Sequence, residues 1–188
     1  MSSRFTLRRL CAALALLCAT LPCLGQAFTL KGTVYSKVAE ELQIDPLLLY
    51  AVSIKASGKY QGGGLISPSP FVIRSSQLTK HFKSLEKAQS ALNSVLETTT
   101  WVEVGLMQIS IHYHPQEDPS TLLDPYTNLR VGGQLLKNSI ASSNDPVIGV
   151  GRYFTWKSED ESRSHGREVW SIYSHIRALS YQEQGGNH

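Results

Sequence analysis

Three of the four Asp-Pro pairs in this 188-residue chain precede segments with a helical pattern. They occur at Asp45-Pro46, Asp124-Pro125 and Asp145-Pro146. An aspartate can cap the first turn of a helix, and a proline at the first helical position loses no hydrogen bond there. Each pair therefore predicts a helix start, and the rest of the chain shows little of the alternation typical of strands. The sequence predicts a mainly α fold with two loop-rich segments and at most a small β element.

Apolar residues at helical spacing predict the extent of the helices. The segments expected to be helical are Thr33–Leu42, Leu47–Ile54, Ser84–Glu97, the residues following Asp124, the residues from Asp145 to Tyr153, and about 166–179. Gly58 is expected to end the second helix in a left-handed C-cap. Gly62-Gly63-Gly64 and the prolines after it indicate an irregular segment, Phe71–Ile73 could form a short strand, and Glu159–Glu161 is expected in an exposed loop.

Gly132-Gly133 falls inside the helix that is predicted after Asp124. A glycine in a helix costs roughly 1 kcal/mol relative to alanine, so two in succession need a reason. We expect that reason to be the close approach of a neighbouring element.

Residues 1–27 have the pattern of a cleavable signal peptide. Three arginines precede an apolar run from Leu10 to Leu21, which is too short to span a bilayer comfortably. Gly25-Gln26-Ala27 supplies a small-x-small cleavage site, so an exported chain would begin at Phe28. We therefore expect an exported protein with no stable membrane span after cleavage.

Removal of that segment changes the charge and cysteine counts. The chain has 18 Lys and Arg residues against 15 Asp and Glu residues, and the three arginines of the segment account for the whole excess. A formally neutral remainder argues against nucleic acid as a partner. Cys11, Cys18 and Cys23 also lie in residues 1–27, so the exported chain would rely on its core alone, without disulfides.

Two short motifs carry the most specific chemical information. They are Ala51-Val52-Ser53-Ile54-Lys55-Ala56-Ser57-Gly58 and Glu103-Val104-Gly105-Leu106-Met107-Gln108-Ile109-Ser110. Ile44–Leu48, Leu122–Leu129 and Ile148–Tyr153 accompany them in a fixed order. In this order the pieces resemble the transglycosylase SLT domain of the lysozyme-like lytic transglycosylases. Pro68–Phe71 and Tyr153–Trp156 are similar to the branch associated with conjugative elements and pilus or secretion systems.

The resemblance implies a single lysozyme-like domain of the goose type over residues 28–179. The polar, glycine-containing residues 180–188 are expected to form a flexible C-terminal tail. It implies peptidoglycan glycan strands as the ligand, a periplasmic location at the cell wall, and no metal or other cofactor. A conjugative, pilus or secretion apparatus is the partner that the branch implies.

The family's reaction depends on one carboxyl group. A glutamate directly before the motif's Ser-Gly protonates the oxygen between MurNAc and GlcNAc, and then acts as the base for closure of the muramyl ring. An apolar pocket keeps such a carboxyl group protonated near neutral pH. The substrate's N-acetyl group assists, so a second carboxylate is not required, unlike in ordinary glycosidases.

This chain has Ala56 at the position of that glutamate. A methyl group cannot transfer a proton, and general acid–base catalysis contributes roughly 10²–10⁴-fold. Lys55 is too weak an acid for the step. Glu103 is the best candidate for a surrogate, although a structural role in anchoring the motif loop is the favoured interpretation.

The resemblance also implies which residues bind sugar. Ser57 would orient the acetamido region of the substrate, and Tyr153 would lie against the catalytic position. The residues that would wall the sugar subsites are Gly105, Leu106, Met107 and Gln108.

Aromatic residues and histidines outside the motifs are further candidates. Trp156 is predicted to contact the glycan, Trp101 could stack on a sugar ring, and Trp170 is expected in the core. His112 and His114 could bind a metal, but no further ligands at useful spacing support this, so we expect them near the mouth of the cleft.

Three functions stay open at this point. An active lytic transglycosylase would open the wall locally for a trans-envelope apparatus, but it needs a surrogate acid or an alanine introduced artificially at position 56. A binding module, or pseudoenzyme, would hold glycan strands or an apparatus component without cutting. A scaffold with a closed groove is the third, and no residue pattern supports it directly.

Overall fold

A computed structural model describes residues 28–76 and 79–181 of the chain. Within these residues, helices alternate with short strands in two antiparallel sheets. The α-helices are α1 Val34–Leu42, α2 Pro46–Ser57, α3 Leu85–Leu96, α4 Pro125–Ala141, α5 Pro146–Arg152 and α6 Glu159–Tyr181. The strands are β1 Gly58–Gly62, β2 Leu65–Pro68, β3 Val72–Ser75, β4 Thr79–His81, β5 Val102–Val104 and β6 Ile109–Ser110. The fold is mixed, with helix as the dominant element, and it contains more strand than the sequence predicted.

The predicted Asp-Pro helix starts are confirmed. Asp45 Oδ1 accepts a hydrogen bond from the N–H of Leu47 at 2.8 Å, at the start of α2. The carboxylates of Asp124 and Asp145 cap α4 and α5 in the same way. Each side chain satisfies a backbone donor that has no partner inside its own helix, so these helix starts depend on local chemistry.

Helix α2 lies at the centre of the core. It packs against α1 and α6, and five of its apolar residues are buried: Leu48, Leu49, Ala51, Val52 and Ala56. Complete burial of a leucine or valine side chain contributes roughly 1.5–3 kcal/mol. A helix that is apolar on most sides therefore favours the centre of the fold, as its sequence predicted.

The expected close approach at Gly132-Gly133 is confirmed. A Cβ atom on Gly132 would lie 2.5 Å from Cβ of Met107, and one on Gly133 would lie 2.6 Å from Cδ1 of Leu42. Helix α4 thus contacts the motif segment on one side and α1 on the other.

The two sheets differ in size and position. Strands β1 and β2 form a hairpin that pairs Tyr60 with Ile66. The larger sheet has the order β4-β3-β5-β6, and its register places Arg74 of β3 beside Glu103 of β5. Glu103 is paired in turn with Ser110 of β6. The motif residues 105–108 connect β5 to β6.

Gly58 was wrongly predicted as a left-handed C-cap. Its φ of −56° and ψ of 133° are those of extended backbone, and it begins β1. The triple glycine that was expected in an irregular segment forms the turn of the β1–β2 hairpin, where Gly62, Gly63 and Gly64 all have positive φ. Alternation of side chains was too weak in these strands to predict the pairing.

The predicted exposed loop at Glu159–Glu161 is also wrong, because these residues form the first turn of α6. Negative side chains are stabilising at the N-terminus of a helix, where the backbone dipole is positive. Ser158 supports this start, since its hydroxyl accepts a hydrogen bond from the N–H of Glu161. The last helix is therefore longer at both ends than the predicted 166–179, and it continues through Tyr181 into the predicted tail.

The predicted signal peptide over residues 1–27 lies outside the described residues, as does most of the predicted tail, 182–188. None of the helices in the described ranges 28–76 and 79–181 is long and apolar enough to cross a membrane.

Candidate functional site

The motif loop, defined here as Gly105–Gln108, is a tight buried turn between β5 and β6. Gly105 has a φ of +78° and Gln108 has a φ of +50°. The side chain of Gln108 closes the turn, because its Nε2 donates to the carbonyl of Gly105 at 2.8 Å. A residue in the left-handed conformation at each end of the loop reverses the chain within four residues. Only glycine adopts the left-handed backbone conformation without strain.

Asn128 of α4 holds the motif loop in place through hydrogen bonds to its backbone and to the residues near it. Its Oδ1 accepts the N–H of Met107 at 2.7 Å, and its Nδ2 donates to the carbonyls of Val104 and Leu122 at 2.8 and 2.7 Å. Only 1% of Asn128 is exposed. A buried amide with all three of these bonds made defines the position of the backbone on either side of Gly105.

Helix α2 anchors the motif loop from a second side. The hydroxyl of Ser57 lies 2.8 Å from the carbonyl oxygen of Leu106, and the hydroxyl of Ser53 lies 3.1 Å from the sulfur of Met107. Ser57 Oγ also accepts the N–H of Ser69, at 3.3 Å. Ser57 is buried, so its contacts are with the protein rather than with the open groove.

Tyr153, at the C-terminal end of α5, is the third anchor. Its hydroxyl donates to the carbonyl of Met107 at 2.7 Å. Burial raises the pKa of the Tyr153 phenol, and the negative charge of Glu103 adds to that effect. The phenol therefore stays protonated and acts as a hydrogen-bond donor over the ordinary pH range.

Ala56 lies in the last turn of α2 and is only 4% exposed. Ser53 and Ser57 both touch the motif loop, so residue 56 lies at the end of the helix that meets the loop. The carbonyl oxygen of Ala56 accepts a hydrogen bond from Nη2 of Arg74 at 2.8 Å.

Arg74 connects position 56 to the proposed surrogate acid. Its Nη1 lies 3.0 Å from Oε2 of Glu103, the residue beside it in the sheet. Both side chains are about two-fifths exposed, at 41% and 42%. The carboxylate of Glu103 is thus engaged as an acceptor by a guanidinium that also binds the end of α2. Arg74 was not singled out from the sequence, where one arginine after an apolar triplet gives no indication of its partners.

A groove of about 900 Å³ runs beside the motif loop. Four of the candidate residues line it: Glu103, Gln108, Tyr153 and Trp156. Ala56, Ser57, Gly105, Leu106 and Met107 do not, and they are buried behind its wall. Further lining residues are Tyr113, His114, Asn138, Arg152, Phe154 and Lys157. Of the motif loop, only Gln108 lines the groove.

Gln108, which lines the groove, has a buried side-chain acceptor. Its Nε2 is oriented by two carbonyl oxygens, those of Gly105 at 2.8 Å and Val72 at 3.4 Å, which leaves Oε1 at the other end of the amide. Oε1 is buried and has no hydrogen-bond partner in the part of the chain that the structure describes. Buried acceptors are nearly always satisfied, so one without a partner at a groove indicates a place for a donor.

The tryptophans occupy three different environments. Trp156 lines the groove and is 64% exposed, with the guanidinium carbon of Arg152 5.0 Å from its ring centre. Trp170 is partly buried and packs against the core. Trp101 is exposed and stacks on His112, with ring centres 3.6 Å apart.

The two histidines do not share a site. His114 lines the groove, and burial lowers its pKa below the ordinary value of 6.5. His112 contacts Trp101 and Tyr113 instead. Across residues 28–76 and 79–181, no group of three or more His, Cys, Asp or Glu side chains could hold a metal ion.

Neither a protein family, nor a curated protein, nor a solved structure matches this chain.

Proposed function

We propose that this chain binds peptidoglycan glycan strands in the groove, as a lytic-transglycosylase-type protein whose cleavage step is lost or strongly impaired. The observation that carries the proposal is the motif loop. Hydrogen bonds from Ser57, Asn128 and Tyr153 hold this loop against a groove whose one carboxylate, among the described lining residues, is paired with Arg74.

The chemistry of the groove supports a sugar ligand. Exposed aromatic faces such as Trp156 suit the apolar faces of a pyranose, and side-chain amides suit its acetamido and hydroxyl groups. Gln108 Oε1 could accept a hydrogen bond from an acetamido N–H, and Asn138 lines the groove as a second amide. The groove combines aromatic and aliphatic side chains with many polar ones, a lining that suits a ligand carrying both apolar faces and hydroxyl groups.

The same groove lacks the group that cleavage needs. Ala56 has no proton to donate, and Lys55 is turned toward Glu168, with its Nζ 2.6 Å from Oε2 of that residue. Loss of a general acid costs roughly 10²–10⁴-fold in rate. The protein proposed here would therefore hold a strand without cutting it at a useful rate.

A second candidate is an active transglycosylase that uses Glu103 as its acid. The observation that favours it is the position of Glu103, which lines the groove and lies close enough to Tyr153 to raise the pKa of that phenol. The contact with Arg74 counts against it, because a carboxylate held by a guanidinium is an acceptor rather than a proton donor.

The wider setting belongs to the same proposal. The resemblance supports a lysozyme-like domain, and residues 1–27 support export to the periplasm, where the protein would meet the cell wall. There it would serve local wall remodelling or anchoring for a conjugative, pilus or secretion apparatus.

The experiment compares the purified protein with Ala56→Glu and with Ala56→Gln. Each is incubated with insoluble peptidoglycan, and both the bound fraction and the released 1,6-anhydromuropeptides are measured. We expect all three proteins to bind. We expect product only from Ala56→Glu, at a rate at least roughly 10² above the others, because glutamine has a similar size but no acidic proton.

Other outcomes separate the alternatives. Product from the unmodified protein that disappears in Glu103→Gln would establish the second candidate. Absence of binding by all three folded proteins would overturn the glycan-binding function, and thermal unfolding midpoints would show that each variant is folded.

A further inference from the structure

Three exposed aromatic side chains form a cluster next to the groove. Trp101 and His112 are stacked, with ring centres 3.6 Å apart and planes inclined by 20°. Tyr113 contacts both rings edge-on, at 5.6 Å from Trp101 and 5.1 Å from His112. We name these three residues the Trp101 platform.

The Trp101 platform adjoins the ends of β5 and β6 and shares Tyr113 with the groove wall. Successive side chains of a strand point to opposite faces. Val102 and Ile111 are buried, whereas their neighbours Trp101 and His112 are exposed. Glu103, two residues after Trp101, lines the groove, and Tyr113 belongs to both the groove and the platform.

The platform stays open although its rings contact one another. Trp101 is 55% exposed with His112 stacked against one of its faces, and Tyr113 is 68% exposed. The imidazole of His112 is also oriented, since its Nδ1 lies 3.3 Å from the hydroxyl of Thr100. An oriented and exposed indole leaves area that a ligand can cover at little cost in side-chain entropy.

We propose that the Trp101 platform is a second sugar subsite, which stacks a pyranose of the same glycan strand where that strand leaves the groove. The inference rests on the proposed function and extends it, because it makes affinity depend on strand length. Trp101 would provide the stacking face, while the edges of His112 and the hydroxyl of Tyr113 would meet sugar hydroxyl groups.

The composition of the platform favours a sugar over an apolar peptide. Its members are all rings with polar edges. The exposed large aliphatic side chains of the described residues, Leu65, Ile66, Leu85 and Leu179, belong to other elements. Continuity through Tyr113 gives one extended ligand a route from the groove to the indole.

The test measures affinity for β-1,4-linked N-acetylglucosamine oligomers by calorimetry, with a disaccharide, a tetrasaccharide and an octasaccharide as probes. We expect Trp101→Ala to bind the octasaccharide roughly tenfold more weakly than the unmodified protein, as the loss of one aromatic stack implies. Its affinity for the disaccharide should not change. Trp101→Phe, which keeps an aromatic face, should recover most of the loss.

Tyr60→Ala is the matched control, because Tyr60 is 65% exposed but does not line the groove. Equal affinity of Trp101→Ala and unmodified protein for the octasaccharide would overturn the second subsite while leaving the proposed function intact. If the unmodified protein binds none of the oligomers and no peptidoglycan, the proposed function itself fails, and the subsite fails with it.

Discussion

The motif loop and the turn of the β1–β2 hairpin reverse the chain in a similar way but in opposite surroundings. Both use glycines with positive φ, Gly105 in the loop and Gly62–Gly64 in the hairpin. A Cβ atom on Gly105 would collide with Asn128 and with the carbonyl of Leu122. A Cβ atom on any of the three hairpin glycines would meet nothing within 4 Å.

This difference shows how one local conformation can have two physical origins. In the hairpin, glycine satisfies a need of the backbone alone, and exposed side chains such as Tyr60 and Leu65 surround the turn. In the motif loop, buried polar groups on three helices each require a partner, and the loop backbone provides these partners. The position of the motif loop is therefore fixed by several independent hydrogen bonds, as is needed in a site that holds a ligand without reorganisation.

The largest expected effect comes from placing the same side chain in both turns. Gly105→Ala should lower the free energy of unfolding by about 4 kcal/mol, since steric overlap adds to the strain of a left-handed alanine. Gly63→Ala should lower it by only about 1 kcal/mol, from strain alone. Urea unfolding of both variants measures the difference. Equal losses would mean that the surroundings of the motif loop contribute nothing.

A second substitution removes the anchor and leaves the loop sequence intact. Asn128→Ala removes three buried hydrogen bonds to the backbone, and we expect a loss of about 3 kcal/mol in unfolding free energy. Asn138→Ala on the same helix is the control, because Asn138 is exposed and bonds only Gln134 among the described residues. A loss below that of the control variant would contradict the anchoring role.

Removal of one hydroxyl group should have a smaller effect. Tyr153→Phe keeps the ring but deprives the carbonyl of Met107 of its donor, which should cost about 1–2 kcal/mol. The wall of the groove should loosen with it, so we also expect weaker binding to peptidoglycan in a sedimentation assay. Unchanged stability together with unchanged binding would show that the loop does not need this contact.

The mildest perturbation is a change of pH. A hydrogen bond from Arg163, then one from the N–H of Val147, lowers the pKa of Asp145 below its ordinary 3.8. The ionised cap of α5 thus contributes stability that is fully present above pH 3.8 and is lost as the pH falls below it. Asp145→Asn should flatten the decline in unfolding free energy over that acidic range, as followed by urea unfolding at several pH values. An unchanged decline would remove Asp145 as its source.

The helix starts could be predicted from sequence because their causes lie within a few residues. Asp45, Asp124 and Asp145 each cap the residues that follow them. The β1–β2 hairpin could not be predicted in the same way. Tyr60 pairs with Ile66, and both side chains are exposed. Because neither face of the hairpin is buried, its sequence has no alternation of apolar and polar residues that would predict the strands.

In the candidate site, too, the features with local causes could be predicted, whereas the contacts between distant residues could not. The motif Gly105–Gln108, Ala56 and Trp156 were found as sequence features, and the structure brings the loop beside both positions. The roles of Arg74 and Asn128 could not be found, because they depend on partners that are distant along the chain. Arg74 bonds Glu103 and Ala56, which lie 29 and 18 residues away, and Asn128 bonds Met107, which lies 21 residues away.

By itself, the sequence determined where the three helices after Asp45, Asp124 and Asp145 begin, that α2 is buried, and that position 56 has no acid. These features follow from local hydrogen bonding, side-chain polarity and composition. Only the tertiary structure decided that Glu103 lies against Arg74, that Gly132 accommodates Met107, and that Trp101 stacks beside the groove. These contacts join residues that are distant along the chain, and their energies depend on which surfaces meet when the core closes.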